Sequence, residues 1–206
     1  MVNGNHWFRK NKKVVGGVTG AVIGVKDMDK ALSFYQSLLN IKETTYDETT
    51  VSDSGMNGEK QLFRKVLLQK HPSGKGAFGK LFGSVEIELV QCLVRPRTTI
   101  YQDRYWGDCG FIHLCFDVFN MPGLKSSMED QGYTFTVDSK ESFTMDAAAG
   151  RFCYVEDPDG TLMELVETHK IPILKKFGLY LDLKKRNLEN PLPDWMIRLL
   201  GLSKVK

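Results

Sequence analysis

The sequence predicts an α+β fold in which one arrangement, a strand, a helix and then further strands, occurs twice. Three observations predict it. Asp27 and Asn120 each stand before an apolar stripe at helical spacing, where an N-cap belongs. Glu88-Leu89-Val90 and Glu164-Leu165-Val166 repeat the same three residues at two strand ends. Asp157-Pro158-Asp159-Gly160 supplies strong turn chemistry between the last two strands, with Pro at the second position and Gly to close. The caps are offset by 93 residues and the strand ends by 76, so both ends of an internal duplication are registered and the difference falls in the middle strands and loops.

The elements follow in chain order. Residues 14–25 are Gly-rich and β-branched and read as a strand. Met28, Ala31, Leu32, Tyr35, Leu38 and Leu39 then mark an amphipathic helix of about three turns, stopped at Asn40. Residues 43–70 alternate enough for one or two strands, broken around Ser54–Gly58. The loop HPSGKGAFGK leads into a clearer strand at 84–90. After a polar connector rich in Arg and Tyr, residues 111–118 form a strand, and Met121, Leu124 and Met128 mark a second helix that ends at Gly132. Strands follow around Thr134, 151–155 and 161–166. Ile173, Leu174, Phe177 and Leu181 recur at helical spacing, and Asp194 stands before a short apolar run closed by Gly201, which together predict a C-terminal helical extension. The implied divisions are an arm at 1–13, a first module at 14–94, a connector at 95–110, a second module at 111–168 and the extension at 169–206.

Composition narrows the class. The chain has 206 residues, 42% hydrophobic and 26% charged, the mix of a water-soluble globular protein large enough to fold without metal or disulfide staples. No run approaches a membrane span, so a membrane partner is not expected. The net charge of +3 is too weak to imply nucleic acid, although residues 169–206 carry nine Lys/Arg against three Asp/Glu. None of the four cysteines forms a CxxC pair; Cys92, Cys115 and Cys153 read as small buried hydrophobes in a reduced, cytoplasmic setting. The N-terminus is basic without an apolar segment behind it, so no secretory signal is read. Gly74-x-Gly76-x-x-Gly79 matches a dinucleotide fingerprint by letters only: it precedes a strand and opens no helix.

Two stretches resemble the vicinal oxygen chelate superfamily, which includes glyoxalase I, methylmalonyl-CoA epimerase, extradiol dioxygenases and the bleomycin- and fosfomycin-resistance proteins. One is GAVIGVKDMDKALSFYQSLLNI; the other is the pair GFIHLCFDVFNM and RFCYVEDPDGTLMELVE. The resemblance covers roughly residues 16–168. It implies two βαβββ modules joined into a cup of antiparallel strands, with metal ligands from the first and last strand of each module. Carried over, those positions are residue 20 and Glu88 in the first module and His113 and Glu164 in the second. Gly20 departs from the family pattern, where a ligand side chain usually stands.

Strand alternation supports part of this independently. His113, Cys115 and Asp117 share one face of their strand, Glu86 and Glu88 one face of theirs, and Glu164 lies with Leu162 and Val166. An ionised Glu among apolar residues is costly unless paired or metal-bound. If these faces converge, Glu88, His113 and Glu164 suit one divalent ion, whether Zn²⁺, Ni²⁺, Co²⁺, Mn²⁺ or Fe²⁺. Gly20 and Gly24 leave room for a ligand or mark a close backbone contact. Arg95 and Arg104 offer guanidinium groups for a substrate carboxylate or phosphate; a solvated surface is their other reading.

The resulting expectation is a metal-dependent lyase or isomerase of the glyoxalase-like type. It would stabilise an enediolate or enolate of a small-molecule substrate, with Glu88 or Glu164 moving the proton. The alternative is a non-catalytic small-molecule-binding protein of the resistance type. An extradiol-type dioxygenase needs two His and a carboxylate; of His6, His71 and His169, it is His71 that would have to fold in beside His113. The extension leaves both a monomer and a homodimer open.

Overall fold

The computed structural model describes residues 18–53, 59–71, 74–140, 143–145, 148–174, 177–187 and 189–200. The expected arm at 1–13, the start of the first strand and the break at Ser54–Gly58 lie outside the described residues.

The first unit is β1 (Gly20–Gly24), α1 (Met28–Leu39), β2 (Tyr46–Asp53), β3 (Lys60–Lys70) and β4 (Val85–Cys92), in sheet order β1-β4-β3-β2. The second repeats the plan with β5 (His113–Asp117), α2 (Met121–Glu129), β6 (Phe135–Asp138), β7 (Phe143–Met145), β8 (Ala148–Glu156) and β9 (Leu162–Leu174). Here β5 lies against β9, β9 against β8, and β6 and β7 both pair with β8. In each unit the first strand runs parallel to the last, β1 to β4 and β5 to β9; the other pairs are antiparallel. The helix between the paired strands is the crossover that a parallel pair requires. Counting β6 and β7, which follow each other along one edge of β8, as one interrupted strand, these are two βαβββ modules, as the duplicated sequence predicts.

The helix ends are set where the sequence places them. Asp27 accepts hydrogen bonds from the backbone N–H groups of Asp29 and Lys30, both at 3.1 Å, and Asn40 closes α1 in the left-handed region at φ 51. Asn120 caps α2 by accepting from Gly123 N at 3.3 Å. One hydrophobic cluster serves both modules. Phe34, Tyr35 and Leu38 of α1 share it with Ile87 and Leu89 of β4, and with Met163 and Leu165 of β9. The DPDG turn locks the modules together. Tyr35 donates to Asp157 Oδ2 at 2.7 Å in the buried interior, and Lys26 N donates to Asp159 Oδ2 at 2.7 Å. Gly160 at φ +88 supplies the turn's left-handed residue.

The C-terminal region differs from its expected form. Instead of a helix over 171–186, β9 continues to Leu174 and folds back as β10 (Leu179–Asp182), with Leu181 opposite Ile171. Of the residues at helical spacing, Leu181 packs against the apolar cluster on this side, whereas Leu174 and Phe177 are exposed. Ile171, Leu183 and Leu192 form that cluster, packed against Phe78 of the β3–β4 loop and Met196 of α3 (Asp194–Leu200). The C-terminal helix is therefore present, and the first of the two expected helices is not. The letters Gly74-x-Gly76-x-x-Gly79 fall in the loop between β3 and β4, as expected.

Candidate functional site

Register explains which side chains meet. Val22 is the parallel partner of Glu88, and Cys115 that of Glu164. Gly20 and His113 each stand two residues earlier on the same strand face, so they occupy matching places in the two modules. Only the second place carries a side chain.

In the second module the pieces converge. His113 Nε2 lies 2.9 Å from Glu164 Oε2, with both side chains largely enclosed (24% and 18% exposed). Tyr154, directly opposite Glu164 across the β8–β9 hairpin, donates its hydroxyl to Glu164 Oε1 at 2.9 Å. Burial and that carboxylate push the Tyr154 hydroxyl well above its ordinary range. Trp106, from the connector, stacks on the His113 ring at 5.5 Å between centroids and meets Tyr154 edge-on at 5.7 Å. The rings continue through Phe152 (5.6 Å from Tyr154) to Phe143 (4.8 Å from Phe152). Five rings, His113 among them, thus form a run beside Glu164, with neighbours in the edge-to-face or stacked geometry that aromatic pairs favour. His113 Nδ1 is buried and has no partner among the described residues. An unpaired buried ring nitrogen costs about 1–3 kcal/mol.

The first module holds its carboxylates differently. Tyr46 donates to Glu88 Oε1 at 2.6 Å, and this bond pushes the Tyr46 hydroxyl up to about 12. Gln69 donates to Glu86 Oε1 at 3.0 Å. Each module's terminal glutamate is therefore held by a tyrosine. Gly20 is a close backbone contact: a Cβ built there would lie 2.4 Å from the carbonyl oxygen of Glu86. No ligating side chain fits at that position without moving the β1–β4 ladder. Gly24 has open space around its Cα.

Among the described residues, no group of three or more His, Cys, Asp or Glu is placed to hold a metal ion. His113 and Glu164 come together; Glu88 does not join them. Nor does His71, whose Nδ1 lies 3.2 Å from Ser84 Oγ. The donor set present therefore does not fit the metal centre that the resemblance implies.

Gly24 and Arg95 line a cavity of about 510 Å³ between β1 and β5, closed by connector residues Thr98–Tyr101. Arg95 donates to Gln61 Oε1 at 3.0 Å. Arg104 stands apart: it lies over the Tyr101 ring at 5.6 Å and donates to the Cys109 carbonyl at 3.0 Å. A second cavity, about 600 Å³, lies at the other end of β5 against the C-terminal hairpin. Neither is lined by His113, Glu164 or Glu88.

Cys115, expected to be buried, is exposed on the strand face beside Glu164. Crowding by protein and the Glu164 charge nevertheless push its thiol up to about 12, so it is no ready thiolate. Tyr46, Tyr154 and Trp106 escaped the sequence reading. The DPDG turn carried a signal for Tyr154, since a tight turn at 157–160 fixes Tyr154 opposite Glu164. Nothing local marks Trp106 or Tyr46.

A family model described as Glyoxalase/Bleomycin resistance protein/Dioxygenase superfamily matches residues 21–154. No curated protein matches the chain significantly. Among solved structures, a glyoxalase family protein from Bacillus cereus is 18% identical over 76% of this chain and 97% of its own, with a TM-score of 0.56. A glyoxalase family protein from Enterococcus faecalis is 18% identical over 74% of this chain and 98% of its own, with a TM-score of 0.47. The fosfomycin resistance protein FosX from Listeria monocytogenes, solved as a mutant with Mn(II) and dihydroxypropylphosphonic acid, is 18% identical over 74% of this chain and 92% of its own, with a TM-score of 0.43.

Proposed function

The chain belongs to the glyoxalase/bleomycin resistance protein/dioxygenase superfamily, and from that premise we propose that it binds a small organic molecule carrying an aromatic or flat apolar face, without requiring a metal. The observation that carries this reading is the run of five rings from Trp106 to Phe143 along the face that holds the His113–Glu164 pair. Rings bind flat apolar groups through area and quadrupole, and a few fixed polar groups set orientation. Glu164, itself held by the Tyr154 hydroxyl, fixes the His113 ring by occupying Nε2. When that nitrogen carries the proton, Nδ1 is an unpaired buried acceptor beside the Trp106 ring, which a ligand O–H or N–H would reach by displacing that exposed indole.

The metal-dependent lyase reading keeps one observation in its favour: His113 and Glu164, two of its expected ligands, stand side by side. It needs a third donor, and the nearest counterpart, Glu88, is engaged by Tyr46. Metal analysis by mass spectrometry separates the two readings. The protein and its His113→Ala variant are incubated with Zn²⁺, Ni²⁺, Mn²⁺ or Fe²⁺ and desalted. The binding reading predicts far less than one ion per chain, equal in both proteins. One ion per chain that is lost in His113→Ala would overturn it and restore the lyase.

A further inference from the structure

The larger cavity lies outside the ring site, and half its wall is built by chain beyond the part matched to the family. One side is the β5–α2 corner, with Val118, Phe119 and Pro122. The opposite side is the C-terminal hairpin and the segment after it, with Leu183, Lys184 and Arg186. Phe78 reaches in from the β3–β4 loop and fixes this segment through the cluster around Leu183 and Leu192. At about 600 Å³ the space suits a small metabolite.

Its charges do not balance internally. Glu167 is used twice: Oε1 accepts from Met121 N at the start of α2 at 3.2 Å, and Oε2 lies 2.9 Å from His169 Nε2. Arg151 is spent on Asp138, with contacts of 2.9 to 3.2 Å. That leaves three cations, Lys140, Lys184 and Arg186, lining the space, with Glu167 and Asp117 set against them among the described residues. Crowding by protein, and then the nearby Glu167 charge, push the Asp117 carboxyl up to about 7, so near neutral pH it is about half ionised and a positive excess remains. Arg186 gives one terminal N–H to the Pro191 carbonyl at 3.3 Å; its Nε is buried with no acceptor among the described residues. A guanidinium N–H sealed from water without an acceptor marks a missing oxygen.

We propose that this cavity binds a small organic acid, its carboxylate held by Arg186 with Lys140 and Lys184, and its apolar body against Phe78 and Phe119. The acidic head answers the unbalanced positive charge and the unpaired Nε; the apolar body answers the aromatic and aliphatic walls. This site is independent of the ring site and of the function proposed for it.

Isothermal titration with hexanoate, which has no aromatic face for the ring site, its neutral amide and inorganic phosphate tests the assignment. The acid is expected to bind once per chain. The amide and phosphate are expected to bind at least about tenfold more weakly, the amide lacking the charge and phosphate lacking the body; that is the step one charge-assisted hydrogen bond represents. Arg186→Gln is expected to weaken the acid by about tenfold. Lys184→Gln changes an exposed side chain, so it tests the charge without threatening the fold, and a severalfold loss is expected. The Trp106 indole resonance should not move. Equal binding of acid and amide, phosphate binding as tightly as the acid, unchanged affinity in both variants, or no binding by any of the three would overturn the proposal.

Discussion

Asp117 shows how one side chain sets a pH dependence. Crowding by the surrounding protein, and then the Glu167 charge, raise its carboxyl from the ordinary 3.8 to about 7 in the folded protein, although part of the side chain stays exposed. The folded state therefore holds this proton more tightly. The stabilising contribution is full below about pH 4 and is lost as pH rises through 7. Asp117→Asn should raise the melting temperature, and by more at pH 8 than at pH 5. Equal gains at the two pH values would show that the environment does not disfavour the charge. Asp138 has the opposite sign. Arg151 first, and then Lys125, hold its carboxyl far below the usual range. Its stabilisation is present above about pH 4 and is lost as pH falls. Asp138→Asn leaves Arg151, only 15% exposed, without its carboxylate and leaves Lys125 with Glu129. A loss of about 2–4 kcal/mol is expected in denaturant unfolding at pH 7. A loss below 0.5 kcal/mol, the range of an ordinary surface change, would contradict that account.

The elements follow from local chemistry where caps and turns are strong. Asp27 accepts two backbone N–H groups of α1, so Asp27→Ala should cost about 1 kcal/mol. Thermal unfolding checks this, and an unchanged midpoint would mean that packing alone sets the helix start. Both helices, their caps and the DPDG turn were legible because each rests on side chains acting within a few residues. The β9–β10 hairpin was not. Its apolar residues satisfy helical spacing, and the pairing of Leu181 with Ile171 is a contact across a turn. Gly178, at φ +65, held the readable objection, since glycine inside a helix costs about 1 kcal/mol relative to alanine. Strand β7 is three residues long, too short to show alternation. In the site, His113 and Glu164 were legible from alternation, and the two side chains stand 2.9 Å apart. Trp106 reaches them from a connector with no periodic pattern, and Tyr46 reaches Glu88 across an intervening strand, so neither was available from spacing.

At the scale of the whole molecule, the two modules are joined by a buried hydrogen bond as well as by shared core. Tyr35 on the first module's helix donates to Asp157 on the second module's turn at 2.7 Å, and Asp157 Oδ1 accepts from Asp159 N and Thr161 N. Both partners are buried, and burial, followed by the Asp157 charge, keeps the Tyr35 proton firmly in place. Tyr35→Phe removes the donor and leaves one buried carboxylate oxygen unpaired, at an expected cost of about 2–3 kcal/mol. Two separated unfolding transitions in that variant, against one in the parent, would show that the bond also couples the modules. A single transition with unchanged midpoint would show that the apolar cluster does all of the joining.

The duplication gave the chain two equivalent places for a strand-borne ligand pair. One kept a histidine and a glutamate under aromatic rings; the other carries a glycine pressed against the Glu86 carbonyl and a glutamate held by Tyr46. This asymmetry favours the ring site as a place to bind. The most direct measurement is a titration with small aromatic fragments in the presence of a chelator, following the Trp106 indole N–H by nuclear magnetic resonance, with Trp106→Phe to assign the signal. Saturable shifts that need no metal, and that are lost in Tyr154→Phe or His113→Ala, are the predicted result. Shifts that appear only after a divalent ion is added, or none with any fragment, would contradict the account.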